Sequence, residues 1–271
     1  HTDNYITQIC QNINTVPIKN IVKNNTNLKT GYICDINSYN ITYRNGGTDQ
    51  IILKVSNLDN ELSYTAIKLN MYENETYFYE KISHLIENTP KYLGSFKSNK
   101  KDAIILENLY TYKGVFNINL NKNISKLLNV VNIIHHIHKS FYFISEEQLM
   151  SNMKNLKKIN EIKYFKELIH KRYDTFVTNV TQILNKKEIQ ILQHIYDNID
   201  NIYDEASAFP LSFCHGDLKS PNIFYKNHME PIFLDWQYIH LNKGISDIVF
   251  LLVESIDFDI MTATIVLNYY Y

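Results

Sequence analysis

The sequence predicts an α+β fold of two lobes: a small antiparallel β lobe with one helix, residues 1–107, then a larger, mainly helical lobe, residues 108–271. Three observations lead there. From Lys29 to Val55 the pattern is β-like, with turn residues between short apolar runs. Between residues 122 and 204 apolar residues recur at helical spacing. Short strand patterns then return around FCHGDLKSPNIFYKNHMEPIFLDWQY, residues 213–238, which sets His215, Asp217, Asn222 and Asp235 among apolar neighbours.

Taken in order, residues 3–14 form a short helix. GYICDINSYNITYRNGGTDQIILKVS reads as two or three strands, with Asn45-Gly46-Gly47 as a hairpin turn. Residues 70–87 are helical, Pro90 and Gly94 bracket a short strand, and residues 102–107 form another. Helices follow over 122–140, 146–180 and 187–204, the last with a stripe of Ile189, Leu192, Ile195, Ile199 and Ile202. Strands return at 211–214, 223–225 and 231–234, and residues from about Ser246 to the end are helical.

Composition narrows the function. The 271 residues are 45% hydrophobic and 20% charged, ordinary for a globular protein with a sizeable core. A net charge of −1 gives no basic surface for nucleic acid or membrane. No apolar run approaches the roughly 20 residues that span a bilayer. Cys10, Cys34 and Cys214 are irregularly spaced, which points to reduced thiols in a cytoplasmic protein rather than to disulfides or zinc. No signal peptide is visible, although the chain opens on His1 rather than Met. Asn, Ile, Lys and Tyr are favoured; their AT-rich codons point to an AT-rich genome.

The chemistry concentrates in the 213–238 stretch. Asp217 and Asn222 stand five positions apart, and Asn222 and Asp235 thirteen. Asp235 ends a buried strand, where a carboxylate needs a partner or a metal. An Asp and an Asn amide oxygen are hard ligands suited to Mg²⁺, with substrate phosphates completing the shell. A second Asp is free to accept a proton from a hydroxyl.

HGDLKSPN followed by FLDWQ resembles the aminoglycoside phosphotransferase/choline kinase-like family, relatives of the protein kinases, and the DWQ ending most resembles its ecdysteroid-kinase-like branch. The resemblance implies a protein-kinase-like fold with ATP and Mg²⁺ as cofactors. It makes Asp217 the catalytic base, His215 the support of the catalytic loop, and Asn222 and Asp235 the Mg²⁺ ligands.

Other parts of a kinase should then be present. Lys54, within Ile51-Ile52-Leu53-Lys54-Val55, lies on the face opposite Leu53 and Val55 and is expected to hold the α/β-phosphates. Glu75 and Glu80 are candidate partners for it. Glu75 shares a helix face with Met71, Phe78, Ile82 and Leu85, and fits the family's E-x-x-F-Y pattern, so it is preferred. Residues 104–109 (IILENL) resemble the hinge, with Glu107 and Leu109 at the adenine edge, and residues 89–94 (TPKYLG) resemble the segment before it. No G-x-G-x-x-G occurs; a turn within Cys34 to Tyr39 is expected to offer backbone N–H groups and Ser38 to phosphate. Asp247 in GISDIVFLL resembles a family residue that starts a helix, and is read as a helix-start carboxylate or a partner for the catalytic-loop backbone.

Two alternatives stand beside a small-molecule kinase: a protein Ser/Thr kinase-like enzyme, and a nucleotide-binding pseudokinase. Lys219 sits where a Ser/Thr kinase has its phosphate-contacting lysine. Against that reading, Gly216 replaces an Arg, DWQ replaces DFG, and no A-P-E follows. His215 also stands 108 positions after Glu107, about twice the protein-kinase distance. In the family this insert builds the acceptor pocket; Glu146, Glu147, Asp174 and Asp204 are acidic candidates within it. His138, beside His135 and His136, reads as a hydrogen-bonded core histidine rather than a metal ligand. The expectation is transfer of the ATP γ-phosphate to a hydroxyl of a small molecule. Only 36 residues follow Asp235, fewer than the family usually has, so truncation is expected.

Overall fold

Alternation along the early strands decides which side chains meet the core and which meet the cleft. The computed structural model describes residues 2–24, 33–59, 61–153, 156–257 and 259–271. Helix α1 (Thr2–Ile13) precedes strands β1 (Ile18–Lys23), β2 (Cys34–Tyr43) and β3 (Thr48–Ser56). Helices α2 (Ser63–Lys68) and α3 (Met71–Tyr77) follow, then β4 (Tyr92–Ser98) and β5 (Lys101–Glu107). The five strands form one antiparallel sheet in the order β1-β2-β3-β5-β4. Tyr39, Ile41, Ile51, Leu53, Ala103 and Ile105 face α1 and bury together with Ile6 and Cys10. The alternate residues of β5, Ile104 and Leu106, join the other core. Because strand side chains alternate, Lys54 falls on that second face.

Several expectations need correction. Cys34 to Tyr39 is no turn: β2 pairs with β3 without a break from Cys34↔Ser56 to Thr42↔Thr48. The segment has no Gly or Pro, and Tyr39, Ile41 and Tyr43 need the strand period to reach the core. The part of the strand expectation at Lys29 to Tyr32 lies outside the described residues. The strand expected to stop at Gly94 runs through it to Ser98. Ile9 of α1 lies over Gly94 so closely that a Cβ there would come 2.6 Å from its Cγ2. The 70–87 helix changes character: α3 passes into a π turn (Phe78–Ile82) and a 3₁₀ turn (Ser83–Leu85). The wider turn shifts the phase, and Leu85 ends 61% exposed. Strand β1 and helix α2 were not foreseen.

The second half contains β6 (Gly114–Phe116), α4 (Ile124–Ser140), β7 (Tyr142–Phe143), α5 (Glu146–Asn152) and α6 (Lys163–Val180). It continues with α7 (Lys186–Asp197), α8 (Ile199–Ser207), β8 (Leu211–Cys214), β9 (Ile223–Lys226), β10 (Glu230–Phe233) and β11 (His240–Asn242), and ends with α9 (Ile245–Ser255) and α10 (Ile260–Tyr270). Two small antiparallel sheets, β10-β9-β6 and β11-β8-β7, brace the region around residues 215–222. The helix expected over 146–180 is two helices. The one over 187–204 breaks at Asn198, whose backbone and side chain both bond the His194 carbonyl. Its apolar stripe stays largely open, with Ile195 and Ile202 exposed. The main core joins Leu127, Val131 and Ile134 of α4 to Phe213, Tyr225, Phe233 and Leu251, and reaches Phe78 and Ile82. Among the described residues no helix is long and apolar enough to cross a membrane.

Candidate active site

The site gathers where β3, α3 and the segment after β10 meet. Lys54 projects from the cleft face of β3 and is buried. Its Nζ donates to Glu75 Oε1 at 2.8 Å and to Asp235 Oδ1 at 2.6 Å. Desolvation pulls the ammonium's pKa down, but the two carboxylates outweigh it and hold the pKa well above the ordinary lysine value. Burial pushes the Glu75 carboxyl up, with Lys54 opposing. Glu80 is exposed and bonds Ser95 instead, as its place on the polar side of the helix required.

Asp235 follows β10 in the left-handed region (φ 59°, ψ 56°), a conformation that is strained for a non-glycine residue and recurs at functional sites. It turns the carboxylate from the strand toward the cleft, where its side chain is 46% exposed. Desolvation pushes its pKa up, yet the pull of Lys54 leaves it below the usual carboxylate range. Leu234 N–H donates to the Asn222 carbonyl at 2.9 Å, which pins the Asp235 segment to the other loop.

That loop follows β8. Asn222 Nδ2 donates to both the main-chain oxygen and Oδ2 of Asp217, each at 2.9 Å. Lys219 Nζ lies 2.9 Å from Asp217 Oδ1. His215 is buried; its Nδ1 accepts from Asp217 N–H at 3.2 Å and its Nε2 donates to the Leu234 carbonyl at 2.9 Å. Burial holds its imidazole below the usual histidine pKa. Gly216 has φ +81°, and a Cβ there would collide with the Tyr238 carbonyl. An Arg at that position is therefore excluded by the backbone of the DWQ segment.

Other predicted residues fall differently. Ser38 is buried within β2, opposite Ile52, with its hydroxyl accepting from Asn24 at 2.9 Å and Asn108 at 3.5 Å. Glu107 bonds Lys91 N–H and the Tyr112 hydroxyl, each at 2.8 Å. Leu109 packs on Phe224 and Ile232. The Glu107 and Leu109 side chains are therefore both engaged within the protein. Glu146 pairs with Lys158 and Asp204 accepts from Asn160 on the surface, and Glu147 and Asp174 are exposed. His138 is buried between Tyr270 and Asp247, while His136 is exposed on its own helix. Among the described residues, His138, Cys214 and Asp247 converge as potential metal ligands. The Asp247 oxygens are already engaged by His138, His215 N–H and Gly216 N–H.

Sequence reasoning missed Gln237, whose Nε2 donates to Glu75 Oε2 at 3.1 Å. The available signal was a lone amide inside IFLDWQYIHL, where burial demands a partner.

The donor set can do a definite chemistry. A lysine fixed between two carboxylates offers charge to phosphate. Asn222 and Asp235 offer hard oxygen to a divalent cation, and Asp217 offers a proton acceptor beside them. The comparisons agree with this architecture. Choline kinase LicA from Streptococcus pneumoniae superposes with a TM-score of 0.57 at 16% identity, over 100% of this chain and 80% of that one. Aminoglycoside phosphotransferase APH(3'')-Id from Streptomyces rimosus, solved with ADP and streptomycin, gives 0.53 at 11% identity over 85% and 81%. Macrolide 2'-phosphotransferase MphH from Brachybacterium faecium gives 0.50 at 8% identity over 98% and 82%. These likenesses show the two-lobed, kinase-like fold. No curated protein matches the sequence. The profile of the ecdysteroid kinase-like family matches residues 31–271, and the chain belongs to that family of kinase-like phosphotransferases.

Proposed function

We propose that this protein is an ATP- and Mg²⁺-dependent phosphotransferase that moves the γ-phosphoryl group to a hydroxyl of a small molecule. The observation that carries the reading is Lys54, bridged to Glu75 at 2.8 Å and Asp235 at 2.6 Å, with Asp217 and Asn222 joined at 2.9 Å on the adjacent loop. In this reading residues 1–107 bind nucleotide, and residues 108–271 carry the catalytic loop, the metal ligands and the acceptor site.

The residues present fit Mg-ATP. The Asn222 amide nitrogen is taken by Asp217, which leaves its oxygen as a hard donor. Asp235 is half-exposed with a second carboxylate oxygen beside the one on Lys54. Bound Mg-ATP supplies the phosphoryl group and the divalent charge that offsets its oxygens. Lys54, held by Glu75, steadies the phosphates, and the main chain of residues 107–109 meets the adenine edge. Asp217 orients the acceptor hydroxyl and takes its proton on a carboxylate oxygen. His215 fixes the backbone of that loop, and Lys219 partners Asp217 at the phosphoryl path. Rate enhancement then comes from positioning and charge neutralisation.

A small-molecule acceptor is favoured by the fold neighbours, which include a choline kinase and a streptomycin-bound phosphotransferase. The test is ADP release from ATP and Mg²⁺ against a panel of hydroxylated metabolites. Acceptor-dependent turnover that Asp217→Ala abolishes is the expected result. Transfer to a generic protein substrate instead would move the assignment to a protein kinase.

A further inference from the structure

Three consecutive residues latch the metal-ligand segment onto β3, α3 and the π turn that follows α3. Asp235 bonds Lys54. The Trp236 ring stacks on Phe78 with centroids 4.1 Å apart. Gln237 bonds three times: its Nε2 donates to Glu75 Oε2 at 3.1 Å and more weakly to Cys34 Sγ at 3.9 Å, and its main-chain oxygen accepts from Asn74 Nδ2 at 3.1 Å. Glu75 is 2% exposed and Gln237 7%. One Glu75 oxygen is therefore satisfied by Lys54 and the other by Gln237, in a place where water does not reach. A buried carboxylate with a bare oxygen is penalised, and the penalty falls on whatever geometry buries it. Where protein kinases carry D-F-G, a glycine holds this position and offers the helix no side chain.

We propose that Gln237 is a positioning residue: it keeps the Lys54–Glu75 pair assembled by tying it to the Asp235 segment, so the nucleotide site is formed without a separate activating event. This rests on the phosphotransferase reading above. Gln237 touches no reacting atom and acts through Glu75. Its removal frees the second Glu75 oxygen and lets the carboxylate leave Lys54. The loss falls on Mg-ATP binding rather than on the step at Asp217.

A double-mutant cycle on Mg-ATP affinity and on the KM for ATP tests this. Gln237→Ala is expected to weaken Mg-ATP by about tenfold with a smaller change in kcat. Glu75→Ala is expected to weaken it at least as much, and the double variant to match Glu75→Ala within about twofold, since both remove one coupled unit. Gln237→Met keeps the volume without the donor and carries the same cycle if the alanine variant does not fold. Multiplying effects in the double variant, or a Gln237→Met protein with wild-type ATP affinity, would overturn the proposal while leaving the phosphotransferase reading intact. A wild-type protein with no response to Mg-ATP would overturn both.

Discussion

His138 Nε2 stands 3.0 Å from Asp247 Oδ2, and the same carboxylate accepts the backbone N–H groups of His215 and Gly216 at 2.8 and 2.9 Å. With its proton on Nε2, His138 donates to Asp247 and accepts at Nδ1 from the Tyr270 hydroxyl, 2.8 Å away. One buried acid thus ties α4, α9 and α10 to the loop that carries Asp217. Removing it strands two main-chain donors and a histidine in the core. Asp247→Ala is expected to lose about 3–5 kcal/mol of stability, read by urea denaturation; a loss within about 0.5 kcal/mol, as for an ordinary surface change, would contradict the assignment.

Acid should weaken the fold before it reaches the carboxylates. Burial lowers the His215 and His240 imidazoles below the ordinary value, while both titrate near ~6.5 in the unfolded chain. Below that point the unfolded state binds more protons, so the stability present above about pH 6.5 falls as pH drops toward the folded values. Asp247 adds a second loss further down. Burial pushes it up, but His138 and the loop N–H groups outweigh that and hold it low, so its contribution fades below about pH 3.9. Thermal melts taken from about pH 7.5 to pH 5 should show a falling Tm; a flat profile would contradict the buried neutral histidines.

Asp217 is separable from nucleotide binding because it does not bond Lys54, Glu75 or Asp235, and its main-chain oxygen, which an alanine keeps, still holds the Asn222 amide at 2.9 Å. Asp217→Ala should abolish turnover yet leave Mg-ATP affinity within a few-fold of wild type, measured by calorimetry. Near-normal turnover would show that another group takes the proton.

Trp236 is fully buried, stacked on Phe78 and tilted against His215 with centroids 4.4 Å apart. Trp236→Ala should cost about 3–5 kcal/mol, and it should also lower the affinity for nucleotide, since the ring holds Asp235 and Gln237 in register. A stability loss without any change in nucleotide affinity would separate packing from the site.

Much of this was legible because strands and buried charges leave local marks. Lys54 stood out as a cation in an apolar β run, and Asp235 as a carboxylate ending one; helical phase chose Glu75 over Glu80. Asp247 was legible as a partner of the loop backbone. What stayed hidden depended on tertiary pairing. The β2 segment at Ser38 reads like a turn by its Asp, Asn and Ser content, yet Tyr39 and Ile41 bind it into the sheet. Helix breaks at Asn198 and beyond Tyr77 come from a cap and a π turn that periodicity does not register. Gln237 gained its meaning only when Glu75, 162 positions earlier, was folded against it.

The central claim is met most directly by titrating ATP into the wild-type protein with and without Mg²⁺ while following Tm. Binding to the native state raises stability by about 2.7 kcal/mol at a hundredfold excess over Kd. The account predicts a Tm that climbs with ATP and climbs further when Mg²⁺ is present. A Tm that stays unmoved at millimolar ATP with Mg²⁺ would contradict it.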